Sequence, residues 1–157
     1  MRRYPITPAG HEAMQKALRQ LLEVDRPAVV KAIEVARAHG DLSENAEYDY
    51  AKDQQGIIEA KIRDFGAKIG LAEVIDPSTL SGDRVMFGAT VTMEDVDTDE
   101  ELLYQLVGTF EADFKGGSIS VESPIGKALI GRGVDDEVVI QVPRGKRTVV
   151  ITDVEYK

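Results

Sequence analysis

Hydrophobic residues recur with helical spacing along the first half of the chain and with strand-like spacing along the second half. In the first half the apolar positions lie three or four residues apart within three sets, which are Met14, Leu18 and Leu21, then Val29, Ile33 and Ala36, and then Ile58, Ile62, Phe65, Ile69 and Ala72. Residues with this spacing share one face of a helix. The first two sets together and the third set therefore each predict a long helix with an apolar seam along one side.

The two predicted helices form the arms of an antiparallel hairpin. The first arm begins at Thr7 and Pro8, a capping residue followed by a proline in the first turn. Pro27 predicts a kink or short break near residues 25–27. The two seams are joined by a short connection, which places the turn at residues 39–43. Each arm has about 30 residues and spans about 45 Å, so we expect a projecting coiled coil.

The seam weakens toward the turn. Continuing it back from Ile58 by the same steps reaches Gln54, Ala51, Glu47 and Glu44, which are small or polar. The end of the hairpin is therefore predicted to meet solvent or a partner.

The second half predicts a small antiparallel sheet. After a turn-rich linker, "DPSTLSG", β-branched segments bounded by Gly, Asp and Pro follow one another: "RVMFGATVTM", "ELLYQLVG", "SISV", "DEVVIQV" and "RTVVITDVEY". Ser123 and Pro124 open "SPIGKALIG", which predicts one short helix packed on the sheet. The fold class is therefore α+β, with a helical hairpin over residues 1–75 and a β-rich globular domain over residues 76–157.

Composition and charge narrow the functional classes. The chain has 157 residues, no cysteine and a net charge of −9. Without cysteine it has neither disulfides nor thiolate metal sites, which suits the cytoplasm. Residues 1–75 carry 11 basic against 12 acidic side chains, net −1, and residues 76–157 carry 8 against 16, net −8. An acidic protein is a poor general binder of nucleic-acid phosphates. No apolar run is long enough for a membrane span.

The turn region concentrates carboxylates. Asp41 and Glu44 are three residues apart at the predicted start of the second helix, within "HGDLSENAEYDY". Two interpretations are open and compatible. Asp41, Ser43 and Glu44 suit the N-terminus of a helix as caps and dipole partners. Two exposed carboxylates are also half of a site for Mg²⁺, which is often held by one or two protein acids with water and substrate.

Other side chains near the turn have a structural and a functional interpretation each. His39 is a candidate general base, but a histidine is also favourable at a helix C-terminus. Tyr48 and Tyr50 can stack on a base or pack across the hairpin. Arg37 and Lys52 can meet phosphates or remain solvated.

The acidic run "EDVDTDEE" lacks the glycine of an EF-hand loop and predicts a solvated connection.

Several motifs together resemble a known family. They are "PITPAG", "GDLSENAEYDYAKDQQG", "VMFGATVT", "EADF", "ISVESPIGKALIG" and "VEY". With them the whole chain resembles the GreA/GreB family of bacterial transcript cleavage factors, and "AKDQQG" is closer to the GreA side of that family. The resemblance implies an N-terminal antiparallel coiled coil and a C-terminal domain similar to FK506-binding proteins.

The resemblance also implies a partner and a mechanism. The globular domain is expected to dock on a coiled coil of the β′ subunit at the rim of the RNA polymerase secondary channel, with the hairpin inside the channel. The tip acids then help to hold the second Mg²⁺ of the polymerase active site, where backtracked RNA is cleaved. The free protein is expected to be a monomer that holds no tight Mg²⁺ and is not an enzyme by itself.

The same resemblance assigns residues. Asp41 and Glu44 match the metal-coordinating pair, which is also the catalytic contribution. Contacts to the nascent RNA 3′ segment or to active-site loops are expected from Arg37, Ser43, Asn45, Tyr48 and Lys52. Polymerase binding is expected from Ser123, Pro124 and Ile125. Two other functions stay open on the sequence: a channel-binding regulator that does not stimulate cleavage, and a peptidyl-prolyl isomerase suggested by the C-terminal fold alone.

Overall fold

A computed structural model of the chain describes residues 2–40 and 45–157. The chain divides into two compact units. His11–Leu71 forms a helical unit, and Met1–Gly10 together with Ala72–Lys157 forms a globular unit. The boundary predicted from the sequence lies between residues 75 and 76, with the first ten residues in the hairpin.

The helical unit contains the predicted hairpin. Its first arm runs through α1 (Pro8–Gln20), a π-helical turn (Leu21–Asp25) and α2 (Arg26–Ala38), and its second arm is α3 (Ala46–Leu71). Its arms run antiparallel, because Arg26 at the start of α2 contacts Glu59 and His39 after the end of α2 contacts Glu47. The predicted seam is confirmed at its most buried positions, which are Met14, Leu21, Val29, Ala36 and Ala51.

The predicted interruption near Pro27 is a π-helical turn. The backbone N–H of Arg26 donates to the carbonyl of Leu21, five residues earlier. Pro27 has no N–H and its ring crowds the preceding turn, so a wider turn relieves the crowding. The turn also corrects the seam. Leu21 and Ile33 are twelve positions apart, whereas three regular turns take about 11 residues. The π turn takes up the additional residue and keeps the seam on one face.

The globular unit contains two sheets. Strands β1 (Tyr4–Ile6) and β2 (Ala72–Val74) pair in parallel, which places the N-terminal segment in this unit. The second sheet consists of β3 (Ala89–Asp95), β4 (Glu101–Val107), β5 (Ser118–Ser120), β6 (Glu137–Val142) and β7 (Gly145–Tyr156), in the order β5-β4-β3-β7-β6. The predicted short helix is α4 (Pro124–Leu129).

The core of the globular unit lies between the larger sheet and α4. Ile125 and Leu129 of α4 belong to one buried cluster with strand residues. Those strand residues are Ala89, Val91, Met93, Leu106, Ile119, Val138, Ile140, Val149 and Ile151. Along β3 the side chains alternate between buried and less buried positions, as expected when one sheet face is covered.

The sheet differs from the predicted one in two respects. It is mixed rather than antiparallel, because β5 pairs with β4 in parallel while the other neighbouring strands are antiparallel. The segment "RVMFGATVTM" is a strand only from Ala89 onward. Before it, Gly88 has a φ of 87°, a left-handed conformation that suits glycine and ends regular strand geometry.

Candidate functional site at the end of the hairpin

Asn45 joins the two arms beside the turn. Its Nδ2 donates to the carbonyl of Ala36 at 2.6 Å, and its Oδ1 accepts from the backbone N–H of Tyr48 at 3.0 Å. The second bond caps the N-terminus of α3, and the first satisfies a carbonyl in the last turn of α2. Asn45 therefore closes the hairpin next to residues 41–44. In the free chain the side chain of Asn45 is engaged within the hairpin, and its predicted contact to RNA or active-site loops stays a prediction.

The cap at the start of α3 is Asn45, whereas the capping predicted for Asp41, Ser43 and Glu44 falls outside the described residues. The signal was available in the sequence, since asparagine directly before a helical run is a preferred N-cap. Glu47 and Asp49 lie in the first turn of α3, where carboxylates favour the positive end of the helix dipole.

His39 ends α2, in agreement with the structural interpretation of this residue. Its backbone N–H donates back to the carbonyls of Ala36 and Arg37. Its ring Nδ1 lies 3.2 Å from a carboxylate oxygen of Glu47, on the opposite arm. Both side chains are exposed, so this contact adds a weak second link between the arms.

The remaining predicted contact residues near the turn differ in exposure. Arg37 and Lys52 are exposed on opposite arms, and Lys52 Nζ donates to Gln55 Oε1 at 3.1 Å. Within residues 2–40 and 45–157 neither forms an ion pair. Tyr48 is half-buried, whereas Tyr50 is 67% exposed. Tyr48 is therefore the more buried of the two tyrosines.

Asp41, Ser43 and Glu44 lie outside the described residues, between Gly40 and Asn45 in the chain. The described part of the chain contains no group of three or more His, Cys, Asp or Glu side chains able to hold a metal ion. The flanking contacts of Asn45 and His39 hold the ends of α2 and α3 together. They bring both ends of the segment with the predicted carboxylate pair to one end of the hairpin.

The predicted polymerase-binding residues form the start of α4. Ser123 caps the helix, because its Oγ accepts from Gly126 N–H at 3.0 Å and donates to the carbonyl of Ser120 at 2.6 Å. Pro124 is exposed in the first turn. Ile125 is only 6% exposed and belongs to the core. Of the three side chains, Pro124 is the exposed one.

Sequence analysis missed two polar anchors in the globular unit. Glu111 accepts from Thr7 N–H at 2.9 Å, from Thr7 Oγ1 at 2.5 Å and from Gly108 N–H at 2.7 Å. Asp95, within the acidic run predicted to be solvated, is buried and accepts from Arg147. Both contacts join residues distant in sequence, so local pattern gave no signal for them.

Two family models match this chain. The model described as "Transcription elongation factor, N-terminal" matches residues 4–74, and the model described as "Transcription elongation factor, GreA/GreB, C-term" matches residues 80–156. The chain belongs to the GreA/GreB family of transcription elongation factors. The resemblance carried by the turn motif and the C-terminal motifs is thereby confirmed.

Relatives within the GreA/GreB family align over nearly the whole chain. The "Transcription elongation factor GreA" of Psychrobacter cryohalolentis is 55% identical over 92% of this chain and 92% of its own. That of Psychrobacter sp. (strain PRwf-1) is 52% identical over 100% of both chains. Among solved structures, GreA factor homolog 1 (Gfh1) of Thermus thermophilus is 28% identical, covers 98% of this chain and 99% of that chain, and has a TM-score of 0.45.

No helix in residues 2–40 and 45–157 is both long and apolar enough to cross a membrane. This agrees with the absence of long apolar runs in the sequence.

Proposed function

We propose that this chain is a transcription elongation factor that enters the RNA polymerase secondary channel and stimulates cleavage of the 3′ end of backtracked RNA. The observation that carries the proposal is the match of family models to both halves of the chain, at residues 4–74 and 80–156. The hairpin geometry supports it. The contact from Asn45 to Ala36 brings both ends of segment 41–44 to one end of the helical unit.

The proposal extends to the two units of the fold. The helical unit acts as a coiled coil, supported by the continuous seam that includes Val29, Ala36 and Ala51. The globular unit is similar to FK506-binding proteins, supported by five strands packed on one short helix. It docks on the β′ coiled coil at the channel rim through the start of α4, where Pro124 is exposed.

The tip carboxylates act in a site completed by the polymerase. Asp41 and Glu44 supply oxygen ligands, the donor type that Mg²⁺ prefers, and two such ligands suit an ion shared with polymerase and RNA. Two carboxylates leave most of the coordination positions of Mg²⁺ to water and substrate, so we expect the free protein to bind the ion weakly. When bound in the complex, the ion supplies Lewis-acid activation of the phosphodiester and of the attacking water.

The other residues of the hairpin end position the RNA. Arg37 and Lys52 are exposed cations on opposite arms and contact phosphates near the RNA 3′ end. Tyr48 and Ser43 contact the RNA or the active-site loops. Lysine presents a point charge rather than a planar fork, so Lys52 attracts a phosphate without fixing its orientation. The chain thus acts in the cytoplasm as a monomer bound to polymerase and nascent RNA.

The test uses a stalled, backtracked polymerase complex with 3′-labelled RNA. The intact protein is compared with Asp41→Asn and Glu44→Gln at equal occupancy of polymerase. Release of short 3′ fragments by the intact protein, with loss in both variants, supports the proposal. If the intact protein binds without accelerating cleavage, the chain is a channel-blocking regulator. Cleavage of free RNA without polymerase would identify a free-standing nuclease instead.

A further inference from the structure

The two arms of the hairpin have little apolar packing to fix their register near the turn. The buried residues there are Ala36 and Ala51. The next seam position of α3 away from the turn is the polar Gln54, which is half-buried. Small side chains make shallow knobs and holes, so they tolerate sliding of one helix along the other better than large residues do. Directional polar contacts must therefore contribute to the register.

The contact between Arg26 and Glu59 is a directional polar contact that joins the two arms. Arg26 Nε donates to Glu59 Oε1 at 2.9 Å and Arg26 NH2 donates to Glu59 Oε2 at 2.7 Å. Such a two-pronged contact fixes the relative orientation of the two groups. Hydrogen bonding from Arg26 lowers the pKa of Glu59, so the carboxylate is ionised at neutral pH. Within the described ranges, no other arginine or lysine forms an ion pair between the arms.

The π turn determines where Arg26 points. Its N–H closes the π-helical bond to Leu21, so Arg26 is the first residue after the additional position in the arm. In a regular helix each residue advances about 100° around the axis. Without the π turn, the two parts of the first arm would be rotated relative to each other by about 100°. Either the side chain of Arg26 would then point away from Glu59, or the seam residues of α1 would leave the interface with α3.

We propose that Arg26 and Glu59 are positioning residues that set the register of α2 against α3, and with it the positions of Gly40 and Asn45, which flank the segment of Asp41 and Glu44 in the chain. The inference rests on the proposed cleavage function and adds the device that places the catalytic tip. A slip of one turn keeps the seam facing the other arm and moves a helix by about 5.4 Å along its axis. A displacement of about 1 Å at reacting groups can cost about 100-fold in rate. The register therefore has to be held closely.

The first experiment measures cleavage in the backtracked complex at saturating protein, with polymerase affinity measured separately by competition. Glu59→Gln and Arg26→Lys are each expected to slow cleavage, about 10- to 100-fold for Glu59→Gln, with affinity changed less than threefold. The exchange Arg26→Glu with Glu59→Arg is expected to restore much of the rate. Asp64→Asn is the matched control, because the Asp64–Lys68 pair lies within α3 and does not join the arms.

The second experiment reads the register directly. The chain has no cysteine, so disulfide formation by an introduced cysteine pair can be measured without interference from native thiols. Ala36 and Ala51 are both buried and lie between the two contacts that join the arms, so Ala36→Cys with Ala51→Cys reports the native register. Ala36→Cys with Gln55→Cys reports a slip of about one turn. In the Glu59→Gln background the second disulfide is expected to form several times faster than in the otherwise native chain.

A rescue experiment separates register from stability. In Glu59→Gln, oxidation of the Ala36→Cys and Ala51→Cys pair is expected to restore cleavage, and reduction is expected to remove the gain. Unchanged cleavage by Glu59→Gln, an unchanged preference between the two disulfides, or no rescue on oxidation overturns the inference. Failure of the native chain to stimulate cleavage at all overturns the proposed function, a result distinguishable from these.

Discussion

Asp95 accepts a hydrogen bond from Nε of Arg147 at 2.6 Å, although the two residues are 52 positions apart and Asp95 is only 3% exposed. The other oxygen of Asp95 accepts from the backbone N–H groups of Asp97 and Thr98. NH2 of Arg147 also donates to Glu100 at 2.7 Å. The buried carboxylate therefore joins the β3–β4 connection to β7 and organises a loop that is otherwise strongly acidic.

This contact predicts a loss of stability in acid. The hydrogen bond from Arg147 holds the pKa of Asp95 below its ordinary value. The stabilisation is fully present above the ordinary aspartate pKa of about 4 and is lost as the pH falls through the lowered pKa. Asp95→Asn is expected to lower the urea midpoint at pH 7 and to reduce its further fall toward pH 3. Asp97→Asn, an exposed neighbour, is the control. Equal acid sensitivity in Asp95→Asn and the native chain would contradict the assignment.

The two bonds of Asn45 can be separated by substitution. Asn45→Ala removes the cap of α3 and the link to Ala36, and it is expected to destabilise the hairpin by about 1 kcal/mol. Asn45→Asp keeps an acceptor for the N–H of Tyr48 but has no donor for Ala36, so an intermediate loss is expected. Helical circular dichroism during thermal unfolding measures both. Identical stability in the two variants would mean that only one of the bonds contributes.

Glu111 and Gly10 form a pair that a double-mutant cycle can test. Glu111→Ala leaves the donors of Thr7 and Gly108 without their acceptor, and a loss of about 1–3 kcal/mol is expected. A methyl group at Gly10 would overlap the carboxylate of Glu111, so Gly10→Ala is also expected to destabilise. With Glu111→Ala already present, Gly10→Ala should cost less than in the native chain, because the carboxylate is gone and alanine favours helix, although the Cβ of residue 111 remains 2.9 Å from the added methyl group. Additive losses in urea unfolding would refute the overlap.

The sequence predicted the parts of the fold that depend on local periodicity. The seam through Val29 and Ala36 identified the hairpin, and Ser123 with Pro124 identified α4, because helical spacing and caps are written in neighbouring residues. The parallel pairing of β1 with β2 was not predictable in this way, since each strand has three residues and their partners are far apart in the chain. The same holds for Asp95 with Arg147 and for Thr7 with Glu111.

For the candidate site, too, the sequence predicted the position of residues along the chain but not the contacts of their side chains. The turn motif predicted the cations Arg37 and Lys52, which are exposed on opposite arms near the hairpin end, while the carboxylate pair Asp41 and Glu44 stays a prediction. It did not distinguish residues that face a partner from residues that build the turn. The sequence did not show that Asn45 closes the arms or that Ile125 is buried, and their predicted contacts to RNA and polymerase stay predictions. In both cases the deciding information is which side chain is already engaged in the folded chain.

The start of α4 offers a test that separates docking from folding. Pro124 is exposed, so Pro124→Ala is expected to weaken polymerase binding several-fold while the thermal midpoint changes little. Ile125→Ala removes a core side chain and is expected to cost about 2–5 kcal/mol of unfolding free energy. At temperatures where Ile125→Ala is still folded, its affinity should remain closer to native than that of Pro124→Ala. Competition binding measures the polymerase affinity of both variants, and thermal unfolding measures their stability. If Pro124→Ala binds as tightly as the native chain, docking uses another part of the globular unit.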